Sequence, residues 1–431
     1  MKTVSSLARA GSSVADHQVA EIVAQVCPAS EYRGQRVLLI VPDGTRTAPI
    51  GPVFKSLHDQ LAEVTRALDL LIALGTHQPM SEAAICQRLE ISESDRRQTY
   101  GRVRFFNHAW NDPRTLQQVG VISAEETRRL SGGRLSLEVP VEVNRLLFDY
   151  DQTILVGPVF PHEVIGFSGG NKYLFPGVSG PALLNFFHWL GALLTSPKIM
   201  GHAATPVRRV VDRAAAMVTV PKTCFCLVVH EGRLAGLFAG SPEDAWPPAA
   251  ELSGQLHITV KDRPFHTILS CAPAMYDELW TGGKCMYKLE PVLADDGELI
   301  IYAPHLAEIC VTHHQVILEV GYHCRDFFLK QWNRFQHHPW GVLAHSSHVY
   351  GQGTFGHGVE KPRARVTLAT AIPPETCRRL NLGYRDPQTI RPADYANREP
   401  DGVLLVPKAG ETLFRLRHPP AWAMGSVPNG P

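Results

Sequence analysis

The chain has 431 residues, of which 44% are hydrophobic and 19% charged, enough for two ordinary domains each with its own core. Lysine and arginine total 42 against 41 aspartate and glutamate, for a net charge of +1, so no global field points to nucleic acid or an anionic membrane as partner. The N-terminus lacks the continuous apolar core of a signal peptide, and no run reaches the roughly 18 apolar residues of a membrane span, which predicts a soluble cytoplasmic protein. The nine cysteines are scattered and include no CxxC pair for zinc. Cys224 and Cys226 alternate in a strand-like run, so their side chains share a face as reduced buried thiols.

In chain order, Arg36 to Val41 reads as a buried strand ending at Pro42 and Asp43, and helical spacing follows from about Gly51 to Val64. Leu68 to Leu74 is a second strand, ending at Gly75, with Ser81 as the N-cap of the next helix. This alternation predicts a mostly parallel sheet with helices on both faces, in which ligands gather at the carboxyl ends of strands. Two polar loops fall there, Asp43-Gly44-Thr45-Arg46 and Gly75-Thr76-His77-Gln78-Pro79. A third strand spans Thr153 to Gly157, and the proline-containing stretch 242–249 reads as surface loop. From about Phe265 a second series of strand-like runs begins: HTILSC, GELIIYAP, HQVILEV, GVLAHSS, ARVTLAT and GVLLVP. The predicted fold is α/β, two α/β domains with mostly parallel sheets and an active site in the interdomain cleft. The predicted boundaries are 1–264 for a catalytic, cofactor-binding domain, 266–400 for a second α/β domain, and 401–431 for a final strand and loose tail.

The segment 157–188 reads GPVFPHEVIGFSGGNKYLFPGVSGPALLNFFH. Small residues at Ser168, Gly169 and Gly170 let backbone N–H groups approach an anion. The order is neither a Walker P-loop nor GxGxxG, so by itself the loop says little more than a tight turn. Lys172 follows it, and a partly buried lysine serves as a nucleophile or attachment point where a surface lysine does not. His162 and His188, taken singly, read as hydrogen-bonded core residues.

Together these residues resemble the lactate racemase family, whose hallmark is a PH…GFSGGxK…PG segment followed by a histidine. Asp43-Gly44-Thr45-Arg46 is similar to that family's D-x-T-R loop, Gly75-Thr76-His77 to its G-T-H loop, and Gly283-Lys284 to a lysine near the start of its second domain. The resemblance runs from about residue 36 to 310. It implies a racemase or epimerase that inverts carbon 2 of a 2-hydroxycarboxylic acid by hydride transfer. The implied cofactor is a nickel-pincer nucleotide (pyridinium-3-thioamide-5-thiocarboxylic acid mononucleotide nickel), attached covalently to Lys172, with His188 as the protein ligand to nickel. Ser168, Gly169 and Gly170 would hold its phosphate, with Asp43 and Thr45 also on the cofactor, Asp43 accepting ribose hydroxyls. His77 and His162 would be the two acid/bases, one for each enantiomer. Arg46 and Lys284 would pin the carboxylate, with Trp280 and Thr281 beside the substrate. Cofactor maturation proteins are implied as partners.

The sequence departs from that pattern around the substrate. Trp280-Thr281-Gly282-Gly283 stands where lactate-specific members have Tyr-Gln-Ala before a similar lysine, and Gln78 where many have arginine. A substrate other than lactate follows from the resemblance. His345 and His348, read as part of a strand-like run, fall on opposite faces and suit substrate or loop contacts better than a metal. The pairs His313-His314 and His337-His338 read as surface. Two other readings stay open at this stage: a lysine Schiff-base or pyridoxal-phosphate enzyme using Lys172, and a non-catalytic binder of small carboxylates.

Overall fold

The computed structural model describes residues 3–424, so the last part of the expected loose tail lies outside the described residues. By its contacts the chain divides into two units, which are interleaved in sequence and not cut at one point near residue 265. The first comprises Met1–Phe160, Phe167–Leu184 and Arg208–Leu256; the second comprises Pro161–Gly166, Asn185–Val207 and His257–Pro431.

The first unit is built on a seven-stranded sheet in the order Val4–Leu7, Arg233–Gly240, Lys222–His230, Gln152–Pro158, Arg36–Pro42, Ala67–Ala73, Phe105–Asn107. The last five are mutually parallel, Arg233–Gly240 runs antiparallel to them at one edge, and Val4–Leu7 pairs antiparallel with Arg233–Gly240. Strand Arg36–Pro42 is buried from Val37 onward because both faces of the sheet are covered, which is why it reads as a continuous apolar run. Helix Ile50–Leu61 buries Ile50, Val53, Phe54, Leu57 and Leu61, one stripe at helical spacing, in a core with Val37, Leu39, Leu70 and Ile72. Ser81 caps helix Glu82–Arg88, its hydroxyl accepting from the Ala84 N–H at 3.2 Å. Cys224 and Cys226 lie side by side with sulfurs 3.4 Å apart, and all nine cysteines are free. Among the described residues, no helix is long and apolar enough to cross a membrane.

The second unit carries a fully parallel five-stranded sheet, ordered Gly383–Tyr384, Arg365–Thr370, Leu293–Ala303, Phe265–Cys271, Val403–Val406. Four of the six strand-like runs are these strands. The other two are helices. HQVILEV forms helix His314–Val320, burying Ile317 and Val320 three residues apart. GVLAHSS lies in helix Trp340–Tyr350, which is buried almost all round, so its apolar residues carry neither a helical nor an alternating period. The expected surface loop at 242–249 is likewise the first half of helix Pro242–His257. Ser241 accepts from the Asp244 N–H at 3.2 Å, and Glu243 and Asp244 occupy the first turn, favourable at a helix N-terminus. Pro247 and Pro248 lie inside this helix.

The segment Pro161–Gly166 is held within the second unit by its backbone. Lys288, fully buried, donates from Nζ to the Pro161 carbonyl at 2.6 Å and to the Glu411 carbonyl at 3.0 Å. The Thr205 hydroxyl donates to the Ile165 carbonyl, and Gly201 N–H to the Gly166 carbonyl. A Cβ on Gly166 would lie 2.0 Å from the His202 carbonyl oxygen, so only glycine fits.

Candidate active site

In the first unit, the two polar loops leave adjacent parallel strands at the same end. The buried Asp43 carboxylate has both oxygens engaged: Oδ1 accepts from the Thr45 N–H at 3.1 Å and the Thr45 hydroxyl at 2.8 Å, and Oδ2 meets Nδ1 of His77 in a short hydrogen bond. Burial alone would raise the Asp43 pKa, but His77, through charge and hydrogen bond, and the Thr45 donors outweigh it and hold the carboxyl well below the usual carboxylate range. An ionised carboxylate only accepts, so Nδ1 of His77 is the protonated nitrogen and the neutral ring has Nε2 as its basic atom. The His77 side chain is 29% exposed, within reach of a ligand. Arg88, to which the sequence reading gave no role, staples the Asp-Gly-Thr-Arg loop by donating to the carbonyls of Pro42, Arg46 and Ala48 at 3.2–3.3 Å. Arg46 itself is half-buried.

The glycine loop is organised by residues far away in sequence. Ser168 is buried, its hydroxyl donating to the Pro158 carbonyl at 3.1 Å and accepting from the Phe160 N–H at 2.9 Å. The Ser168 carbonyl takes the indole N–H of Trp246 at 2.7 Å, and the Phe167 carbonyl takes Nη2 of Arg208 at 2.6 Å. The Arg208 guanidinium lies 3.9 Å over the Trp246 ring. Gly169 and Gly170 have φ of +84° and +60°. A Cβ on Gly169 would stand 2.6 Å from Val159, and one on Gly170 3.1 Å from Trp246. These glycines therefore meet a backbone and packing requirement irrespective of any anion. Lys172 follows in the short turn Gly170–Tyr173 and is half-buried. Asn171 beside it donates to Asp212 at 3.1 Å and Glu243 at 3.0 Å. The Gly75 N–H donates to the Gly177 carbonyl, tying the Gly-Thr-His loop to the far end of the lysine loop.

In the second unit, His162 is buried, with Nδ1 3.2 Å from the Val164 N–H and 3.3 Å from Oε2 of Glu163. His188 is half-buried on helix Pro181–Leu194 and stacks on Phe187 at 4.6 Å. Lys284 is buried, with Nζ 4.7 Å over the Tyr276 ring. Thr281 is buried too, its hydroxyl donating to the Glu278 carbonyl at 3.0 Å. Trp280 is half-buried between two imidazoles, 4.1 Å from His345 and 5.0 Å from His313.

Two readings of the histidines change here. His345 and His348 lie on helix Trp340–Tyr350, not a strand, so their i, i+3 spacing puts them on one side. His348 is buried against Ser196, Nδ1 to Oγ 2.9 Å. His313 is half-buried and packs on Trp280, and His314, also half-buried, pairs with Glu308 at 2.9 Å; of the other pair, His337 is exposed and His338 half-buried. Burial, with His348, His313 and His188 nearby, keeps His345 well below the ordinary histidine range.

A family model described as the lactate racemase N-terminal domain matches residues 22–200, which include both polar loops, the glycine loop, Lys172 and His188. Over those residues the chain is similar to that family. Lactate racemase from Thermoanaerobacterium thermosaccharolyticum is 22% identical over 281 residues, 62% of this chain, and the match spans 60% of that relative's length. Among solved structures, a protein from Thermotoga maritima superposes with a TM-score of 0.86 at 32% identity, covering 94% of this chain and 99% of that one. The lactate racemase apoprotein from T. thermosaccharolyticum superposes with a TM-score of 0.68 at 16% identity over 94% of each chain, a likeness of fold.

Proposed function

We propose that this chain is an isomerase that inverts carbon 2 of a 2-hydroxycarboxylic acid other than lactate. The observation that carries the reading is the Asp43–His77 pair, which presents a histidine with one nitrogen anchored and the other basic. Removing hydrogen from carbon 2 as hydride requires that the hydroxyl give up its proton, and a histidine poised in this way takes it. His162 is the counterpart for the other enantiomer. Arg46 and Lys284 hold the carboxylate, one by a planar fork and one by a compact charge.

The residues fit a nickel-pincer nucleotide. Lys172 is half-buried at the end of a rigid loop, a suitable position for a covalent tether, and His188 offers one imidazole to nickel. Among the described residues, no three His, Cys, Asp or Glu side chains converge to hold a metal, so nickel bound at His188 needs donors that the cofactor itself would supply. The chemistry that group supplies when bound is acceptance and return of the carbon 2 hydrogen as hydride.

The test uses chain co-expressed with the cofactor maturation proteins, single enantiomers of several 2-hydroxyacids, and chiral analysis of the product. Inversion by the loaded enzyme, with nickel content falling in His188→Ala while the fold persists, is the expected result. Loaded enzyme that inverts no 2-hydroxyacid overturns the proposal. His77→Ala and His162→Ala should each suppress net inversion from both hands by roughly 10²–10⁴-fold.

A further inference from the structure

The aromatic cluster around His345 was not explained by the family pattern, and it lies wholly within the second unit. Its geometry is specific. Tyr322 is fully buried, and its hydroxyl stands 3.4 Å from Nε2 of His345. That is its one hydrogen bond among the described residues, so the phenol proton has no other acceptor. A buried hydroxyl proton without an acceptor is disfavoured, so the phenol donates and Nε2 accepts. The His345 ring proton then sits on Nδ1, which has no hydrogen-bond partner among the described residues. The ring is half-buried, so this N–H is within reach of a ligand.

The surroundings of that imidazole are sided. Trp280 lies 4.1 Å from the imidazole at 35°, an apolar wall for the C–H groups of a short chain. Helix Trp340–Tyr350 packs directly on the turn that bears Lys284. A Cβ on Gly283 would meet His345 at 3.1 Å and Val349 at 2.7 Å, so the glycine is what lets His345 approach. Lys284 and the candidate donor are thus held near each other by close packing at Gly283.

We infer that His345, oriented by Tyr322 and walled by Trp280, donates a hydrogen bond to an oxygen on carbon 3 of the substrate, so that the preferred substrates are 2,3-dihydroxy acids, of which glycerate is the smallest. The inference rests on the racemase reading for what happens at carbon 2. Lactate and its homologue 2-hydroxybutyrate offer only carbon and hydrogen at that place and leave the donor unmatched. An unmatched donor in a largely buried site lowers discrimination-sensitive rates by about tenfold to a hundredfold.

Glycerate and 2-hydroxybutyrate form the decisive pair, because they differ by a hydroxyl against a methyl of similar size. In loaded enzyme, kcat/KM for glycerate should exceed that for 2-hydroxybutyrate at least tenfold, and the ratio should collapse toward one in His345→Phe and fall in Tyr322→Phe. Binding is measured separately on the unloaded chain labelled with ¹⁵N-histidine. Glycerate should shift the His345 Nδ1 resonance, with 2-hydroxybutyrate shifting it far less. Equal responses to the two acids, or none, overturn the inference even if the loaded enzyme inverts both. A response to glycerate in a chain that, when loaded, inverts nothing sustains the pocket and sinks the racemase reading instead.

Discussion

Asp43 and His77 lie 34 residues apart and meet through a carboxylate–imidazole hydrogen bond, Oδ2 to Nδ1, at the ends of two adjacent parallel strands, Arg36–Pro42 and Ala67–Ala73. Neither loop makes a competent base alone. The strand pairing brings carboxylate and imidazole together, and Thr45 fixes the carboxylate from the other side. The Asp43 oxygens are thus engaged with His77 and Thr45, which makes Asp43 an orienter of His77 in addition to any ribose contact.

Replacing Asp43 with Asn tests that relationship. The amide keeps the size but can donate to Nδ1, favouring the tautomer with its proton on Nε2 and removing the base. The expected result is a kcat loss of roughly 10²–10⁴-fold with a smaller change in KM. Nitrogen-15 spectra of the unloaded protein should show His77 switching tautomer. An unaltered tautomer and rate would mean that the pair is structural only.

Lys172 is half-buried and lies in a loop whose rigidity comes from other residues, so its side chain contributes little to folding. Lys172→Ala should leave the melting temperature within a degree or two. Intact mass of protein made with the maturation machinery should show an adduct on the wild type and none on the variant. An active wild-type enzyme with unmodified Lys172 excludes the tether.

Trp246 fastens the glycine loop from a helix more than seventy residues downstream. Trp246→Ala removes a buried ring, the donor to the Ser168 carbonyl and the face beneath Arg208. Urea denaturation should register a loss of about 3–5 kcal/mol. Limited proteolysis should then cut near Gly169–Lys172, a bond protected in the wild type. A loss under 1 kcal/mol with no new cleavage would show that the loop holds its shape without the indole.

His108 makes acid stability measurable. It is buried, with Nε2 3.1 Å from the Ser179 carbonyl and Nδ1 3.1 Å from the Asn144 amide. Burial lowers its pKa to about 4, with the Ser179 carbonyl opposing in part. The unfolded chain takes up this proton near pH 6.5, whereas the folded chain resists until about pH 4. The contribution is therefore fully present above pH 6.5 and is lost as pH falls, by on the order of 3 kcal/mol at pH 4. Urea midpoints between pH 7.5 and 4.5 should show this slope, and His108→Gln should flatten it while lowering stability at pH 7.5. Equal slopes in both proteins would assign the acid lability elsewhere.

Read without the structure, the sequence already contained the strand cores, the two polar loops at strand ends, and the ordered histidine–glycine–lysine segment. These are legible because burial on both faces of a parallel sheet writes continuous apolar runs, and because backbones with positive φ demand glycine. Tertiary structure decided the rest. It chose His77 as the partner of Asp43, assigned Pro161–Gly166 and His162 to the second unit through Lys288 and Thr205, and made helices of two runs that read as strands. Above all it turned His313, His345 and Trp280, scattered over 66 residues of sequence (280 to 345, both ends counted), into one cluster. The physical reason is the same in each case. Steric and hydrophobic preferences act over a few residues and leave a local pattern, whereas a hydrogen-bond or ring partner is selected by packing between segments whose separation in sequence carries no signal of their meeting.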